Sequence, residues 1–269
     1  MTILSKKNKS VDVIVILCLT LVGFGLAWLA QGTLLGRPLL SWGLFIVLPV
    51  VVYLSFRKKK PFEYIAMGTF VIGFVFSLVL ETLAEFNGAW HVADTVFSYR
   101  FPGGASLDAI LGYVLMTFLT LVIYEHFLDR PHRGRVKFVP RRLAMALVPS
   151  TLVVMTLFVL TEIAPEIISV SYLYAIAGPA AIVFPLIVGF REPTLYSRMV
   201  KIMPYFFFIY LVSEYFAVTF SWWTYPSGEY IGYVSLAGVS FPIEELLFWM
   251  LFYAASIVVY YEEYIDDDK

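Results

Sequence analysis

Two adjacent carboxylates, Glu244 and Glu245, follow Pro242 at the head of an apolar stretch that runs from Leu246 to Tyr261. A charge placed that close to lipid costs about 3 kcal/mol or more unless it is protonated, paired or hydrated. Adjacent helical residues diverge by about 100° around the axis, so one of the two must face inward. Glu214 lies deeper still, between Tyr205-Phe206-Phe207-Phe208 and Phe216-Ala217-Val218, with too short a side chain to reach the surface. Glu81 has Glu85 four residues on, hence on the same helical face. Carboxyls that share a dry site can hold a proton between them. A cluster drawn from Glu81, Asp108, Glu214, Glu244 and Glu245 is therefore a candidate general acid. Trp90, His91, Trp222, Trp223, Tyr225 and Phe248 are the candidate lining. A dry acid among aromatic rings is suited to protonating an alkene, because ring faces stabilise the resulting cation.

The elements that position these residues are apolar helices. The chain has 269 residues, 60% hydrophobic and only 14% charged, where a soluble domain carries about 25% charged residues. Eight stretches approach the ~20 residues that span a bilayer core, at about 11–31, 39–56, 63–86, 107–127, 142–161, 169–190, 203–223 and 241–261. They lack the polar–apolar alternation of barrel strands, so the expected fold is an all-α membrane protein. The first stretch is too long for a signal-peptide core and reads as an anchor span.

Of the 19 lysines and arginines, all but Arg37 and Arg100 fall on one side when the loops are assigned alternately. The positive-inside rule then places both termini in the cytoplasm, in a multi-pass protein of the cell membrane. The acids Glu81, Glu85, Asp94, Asp108, Glu214, Glu229, Glu244 and Glu245 fall in the outer half or outer loops, as do the tryptophans that follow spans three and seven. An interfacial aromatic belt would account for any one tryptophan alone.

The chain also echoes itself. Glu81-x-x-Ala84 and Trp90 align with Glu214-x-x-Ala217 and Trp223 at an offset of 133. At an offset of 137, Asp108 aligns with Glu245, and Tyr124-Glu125 with Tyr261-Glu262. Four spans per half keep the halves in one orientation, as parallel repeats whose seam is the natural place for a site. The boundaries read as 1–137, with its core at about 40–129, and 138–269.

Other chemistries find no support. A net charge of −1 offers no basic patch for nucleic acid, and the single Cys18 has no zinc-site spacing around it. No phosphate-binding loop or dinucleotide fingerprint occurs. Spans three to eight contain no lysine to form a retinal Schiff base. His126 and His132 fall on the cytoplasmic side, away from the acids.

Trp223-Thr224-Tyr225, Tyr230-Ile231-Gly232, Pro242-Ile243-Glu244-Glu245-Leu246-Leu247-Phe248 and the closing Tyr261-Glu262 together resemble the lycopene cyclase domain. That domain occurs in the heterodimeric carotenoid cyclases of bacteria and the fused cyclases of archaea and fungi. The first half is a degenerate copy. It keeps Trp90, Gly103-Gly104, Asp108 and Tyr124-Glu125, but has Ser106-Leu107-Asp108 where the second has the Pro-x-Glu-Glu element. The resemblance implies cyclisation of an acyclic carotenoid end group, with no flavin, metal or other cofactor. It implies a lipophilic polyene substrate and membrane lipids as partners. Glu244 or Glu245 would be the acid, with Glu214 and Glu81 as pair partners. Two alternatives remain open: hydration of the same cation, and a transporter or lipid-binding protein with a protonatable site. Homo-oligomerisation is open too.

Overall fold

The computed structural model describes residues 6–57, 62–129 and 140–265. Among the described residues, eight long helices carry the fold. We number them α1 (Lys6–Leu29), α2 (Pro38–Ser55), α3 (Phe62–Phe86), α4 (Leu107–Phe127), α5 (Pro140–Ile163), α6 (Leu173–Arg191), α7 (Pro193–Thr219) and α8 (Glu245–Tyr264). Seven of them are long and apolar enough to cross a membrane among the described residues, as an integral membrane protein requires. The other, α5, has a shorter apolar run at Leu147–Ile163.

Two expected boundaries move. α7 starts at Pro193, not near 203, because Pro at the first helical position nucleates the turn and carries Arg198 and Lys201 into the helix. Residues 241–242 do not open span eight as helix, which starts winding at Ile243. Val239–Pro242 is instead strand β4, paired antiparallel with β3 at Tyr233–Leu236. Ala237 and Gly238 turn the hairpin with φ of 47° and 90°, the left-handed pair that a tight primed turn demands. The expected charge loops at Lys58, Lys59, Lys60, Arg130, Arg133, Arg135, Lys137 and Lys269 lie outside the described residues. So do His132 and the 137/138 boundary.

α4 runs through the centre, with Ile110, Leu119, Leu121, Val122 and Tyr124 fully buried. By contrast Ile14, Leu21 and Val22 on α1, Leu152 on α5 and Ile176 and Val183 on α6 are exposed. An apolar exterior of this kind is what lipid, not water, accommodates. Three helices contain π-helical turns, at Ser41–Val47 in α2, Thr69–Phe76 in α3 and Glu245–Met250 in α8. Such turns widen a helix locally and are frequent at functional sites.

Small residues set the helix spacing. A Cβ on Gly178 of α6 would lie 2.3 Å from the Phe248 ring of α8. Gly178→Val is therefore expected to lower the thermal midpoint in detergent, and Phe248→Ala in the same chain to restore most of the loss. A midpoint unaffected by Gly178→Val would show that α6 is not held against α8 in this way.

Candidate active site at one end of the bundle

The loops at one end of the bundle converge through short strands. β1 (His91–Val92) pairs antiparallel with β2 (Trp223–Thr224), with Val92 opposite Trp223 and His91 opposite Thr224. This brings the Trp90 and Trp223 rings to 5.6 Å between centroids. Each indole points its N–H at a carboxyl nine residues earlier. Trp90 Nε1 donates to Glu81 Oε2 (2.9 Å), and Trp223 Nε1 donates to Glu214 Oε2 (3.2 Å). Tyr225 adds a 2.5 Å hydrogen bond from its hydroxyl to Glu214 Oε1. Burial, with the Glu214 carboxyl beside it, holds the Tyr225 phenol well above its usual range, so it remains a donor.

Beneath the paired strands lies a cavity of about 110 Å³. A single water needs roughly 10–15 Å³ on this scale, so the space fits a ring-sized group. Trp42, Trp90, Trp223 and Trp249 supply its broad walls, Tyr113, Tyr174, Tyr210 and Tyr253 line it too, and three carboxyls reach it: Asp108, Glu214 and Glu245.

The three carboxyls differ in what holds them. Asp108 sits in the first turn of α4, where Ser106 Oγ caps the helix by accepting from Ala109 N (3.0 Å). Its two oxygens accept from the backbone N–H groups of Val96 (2.6 Å) and Phe97 (2.9 Å). Glu214 is fixed by Trp223 and Tyr225, as above. Glu245 is buried, and its Oε1 has no hydrogen-bond partner. Tyr174, Tyr225 and Glu214 are its polar neighbours.

Glu244 points elsewhere. It is fully buried, accepts from Ile231 N (2.6 Å), and does not line the cavity. It therefore does for the β3 approach what Asp108 does for the loop at 96–97. Asp108 thus shares its backbone contact with Glu244, and its place at the cavity with Glu245, the residue it aligns with in sequence. The π-helical turns at Glu245–Met250 wind one residue more into this end of α8 than regular α-helix holds.

The remaining candidates spread out. Glu81 is buried beside Trp90, with Oε1 unpartnered, and lies behind the cavity wall. Trp222 is buried against Phe216 and Phe220, and its carbonyl accepts from Ala93 N (2.9 Å); it pins a loop and does not line the cavity. His91 lies 2.8 Å from Glu85 Oε2, with its side chain 45% exposed and outside the cavity. Phe248 lines a second, smaller cavity.

Arg37 and Arg100, in the loops at this end, are clamps. Arg100 reaches Glu85 Oε1 (2.9 Å) and the carbonyls of Gly104 (2.8 Å) and Val92 (2.5 Å). Arg37 pairs with Asp94 at 3.3 Å and also donates to the Thr95 carbonyl.

The sequence reading missed Tyr113, Tyr174, Tyr210 and Tyr253. Their signal is spacing from an acid: Tyr210 precedes Glu214 by four residues, and Glu245, Trp249 and Tyr253 follow each other at intervals of four, on one helical face. Compared with protein families, with characterised proteins and with solved structures, the chain gives no match.

Proposed function

We propose that the outer cavity protonates the end group of an acyclic carotenoid and cyclises it, without a cofactor. The observation that carries the reading is Glu245: a buried carboxyl with one oxygen unpartnered, facing a cavity walled by indoles and phenols within an apolar helical bundle.

The steps balance without a redox partner. The Glu245 proton forms a new C–H bond at the terminal alkene, leaving a tertiary cation. The next double bond attacks that cation and closes the ring. A ring proton then passes to Glu214 or Asp108, the other carboxylates at the cavity, and a ring alkene forms. The product is an isomer of the substrate. Trp90 and Trp223 hold their N–H groups turned into carboxyls, so their faces are left to the cation, a contact worth about 2 kcal/mol or more when dry.

A second outcome has its own support. Tyr210 Oη and Ser213 Oγ reach the same cavity, and neither has a hydrogen-bond partner. A water held by the two would quench the cation and give a hydrated end group. Pigment analysis of a lycopene-accumulating host expressing the chain separates the outcomes. A new pigment isomeric with lycopene is expected; a product heavier by one water favours hydration. No new pigment in cells with verified membrane expression would remove the carotenoid reading.

The internal repeat belongs to the same reading. It rests on the two matched indole–carboxyl pairs and on a crossed pair at the other end of the bundle. There the Tyr124 hydroxyl donates to Glu262, and the Tyr261 hydroxyl donates to Glu125 Oε1 (2.7 Å). Reciprocal contacts are what a two-fold relation between halves 1–137 and 138–269 generates. With four helices per half, the axis would run along the membrane normal. The basic residues of the sequence would put both termini in the cytoplasm and the cavity near the opposite face.

Glu244→Gln tests the division of labour between the two adjacent acids. Glutamine keeps an oxygen for Ile231 N, so turnover is expected to fall by less than about tenfold, the equivalent of roughly 1.4 kcal/mol. Loss of all product from well-folded Glu244→Gln protein would return this residue to the list of acids.

A further inference from the structure

Ring closure of the proposed kind consumes no proton overall, yet it moves one. Glu245 gives a proton to the alkene, and a different carboxyl takes one from the ring. A second turnover therefore needs a route that carries the proton back to Glu245.

The two carboxyls that could take the ring proton differ in this respect. Both oxygens of Asp108 accept from backbone N–H groups, those of Val96 (2.6 Å) and Phe97 (2.9 Å). A peptide N–H is a donor only and hands no proton on. Glu214 Oε1 instead accepts from the Tyr225 hydroxyl at 2.5 Å. A phenol both donates and accepts, so it can take a proton from one side while releasing its own to the other. Tyr225 is also a neighbour of Glu245, and both carboxyls line the same cavity. The Tyr225 ring is held in place for such an exchange. Trp223 Nε1 donates to its oxygen (3.2 Å), and the Tyr230 ring meets it edge-on at 5.9 Å between centroids. The Tyr230 hydroxyl is itself anchored on the Ala89 carbonyl (2.8 Å). Only the hydroxyl hydrogen of Tyr225 has to turn.

From this arrangement we infer that Glu214 is the base and that Tyr225 relays its proton back to Glu245. The inference rests on the proposed chemistry of the cavity and adds how the site resets. After ring closure Glu214 is a neutral acid, Tyr225 a phenol and Glu245 a carboxylate. The Tyr225 hydroxyl gives its proton to Glu245 and takes the one on Glu214. Glu214 ends as the carboxylate, Tyr225 as the phenol and Glu245 as the acid. Two O–H bonds break and two form, with no co-reactant. Burial keeps the phenol protonated between turnovers.

The test follows product from lycopene in nanodiscs that hold the full chain, through the first ring closure and beyond it. The readout is the steady rate divided by the first-turnover rate. Tyr225→Phe should close the first ring as the unaltered chain does and then stall. Its ratio is expected to fall about a hundredfold, the low end for a positioned proton-transfer group. A residue that merely shapes the site would slow the first closure and leave the ratio alone. An unchanged ratio in Tyr225→Phe, whether or not the first closure slows, therefore overturns the relay. Glu214→Gln supplies a second arm and should fail at the first closure, because its amide takes no ring proton. Glu214→Gln protein that turns over like the unaltered chain overturns the assignment of the base, and the relay with it. Both substitutions keep the shape of the side chain they replace. If the unaltered chain closes no ring at all, the proposed chemistry itself falls.

Discussion

Glu245→Gln is expected to abolish pigment conversion while leaving the protein folded. The amide has the shape of the acid but no proton to give, and a positioned general acid is worth about 10²–10⁴-fold in rate. Neither of the other two carboxyls at the cavity readily replaces it. Asp108 is tied by two backbone N–H groups and Glu214 by an indole and a phenol, whereas one oxygen of Glu245 is uncommitted. Substrate binding should survive, because the walls are apolar and aromatic. The check is product formation per unit of folded protein, with lycopene affinity measured alongside. Glu245→Gln protein that retains more than a tenth of the conversion would shift the donor to Glu214 or Asp108.

The largest stability effect is expected far from the cavity. Asp12, on α1, accepts from Tyr53 Oη (2.7 Å) and Arg57 Nε (2.6 Å) on and just beyond α2, and lies 2.9 Å from His126 Nε2 on α4. Asp12 and His126 are both buried. Asp12→Ala removes the acceptor that joins three helices and leaves their polar groups stranded. Breaking such a buried pair costs about 3–5 kcal/mol. The thermal midpoint in detergent should drop by roughly 10 °C, on a scale of about 2–4 °C per kcal/mol. Asp12→Asn, which keeps an acceptor, should recover part of it. Equal midpoints for all three proteins would mean that this cluster is incidental.

Asp12 also marks where the sequence stops being readable. All eight helices are legible as apolar runs of the right length, because lipid demands such runs and little else does. What hydropathy cannot give is a helix's inward face. In a helix apolar all round, no periodic stripe separates core from lipid. Asp12 carries no sequence signal beyond its charge, since its partners come from two other helices. The α7 start was obscured for a related reason: Arg198 looks like a loop residue, yet it is spent on Glu262 (3.0 Å) and Asp129 (3.2 Å).

The site was legible where scarcity helped. Acids are rare in these helices, so Glu214 and Glu245 stand out, and their tryptophans follow from matching spacing. Tyr113, Tyr210 and Tyr253 are hidden among 18 tyrosines. The division between Glu244 and Glu245 was out of reach as well. It depends on the winding of α8, and no residue type encodes a π-helical turn.

That winding also sets what a lost codon would do. The wide turns hold one residue more than regular α-helix does over the same length. Loss of a single codon within Leu246–Met250 would let α8 relax to regular α-helix with both of its ends in place. The end that carries Tyr261 and Glu262 would keep its pairing with Tyr124 and Glu125, and Glu245 would stay at the cavity. The same loss from a helix without such turns rotates one end by about 100° and draws it in by about 1.5 Å. The placement of the proposed acid is thus buffered against a three-nucleotide deletion at this point of the helix.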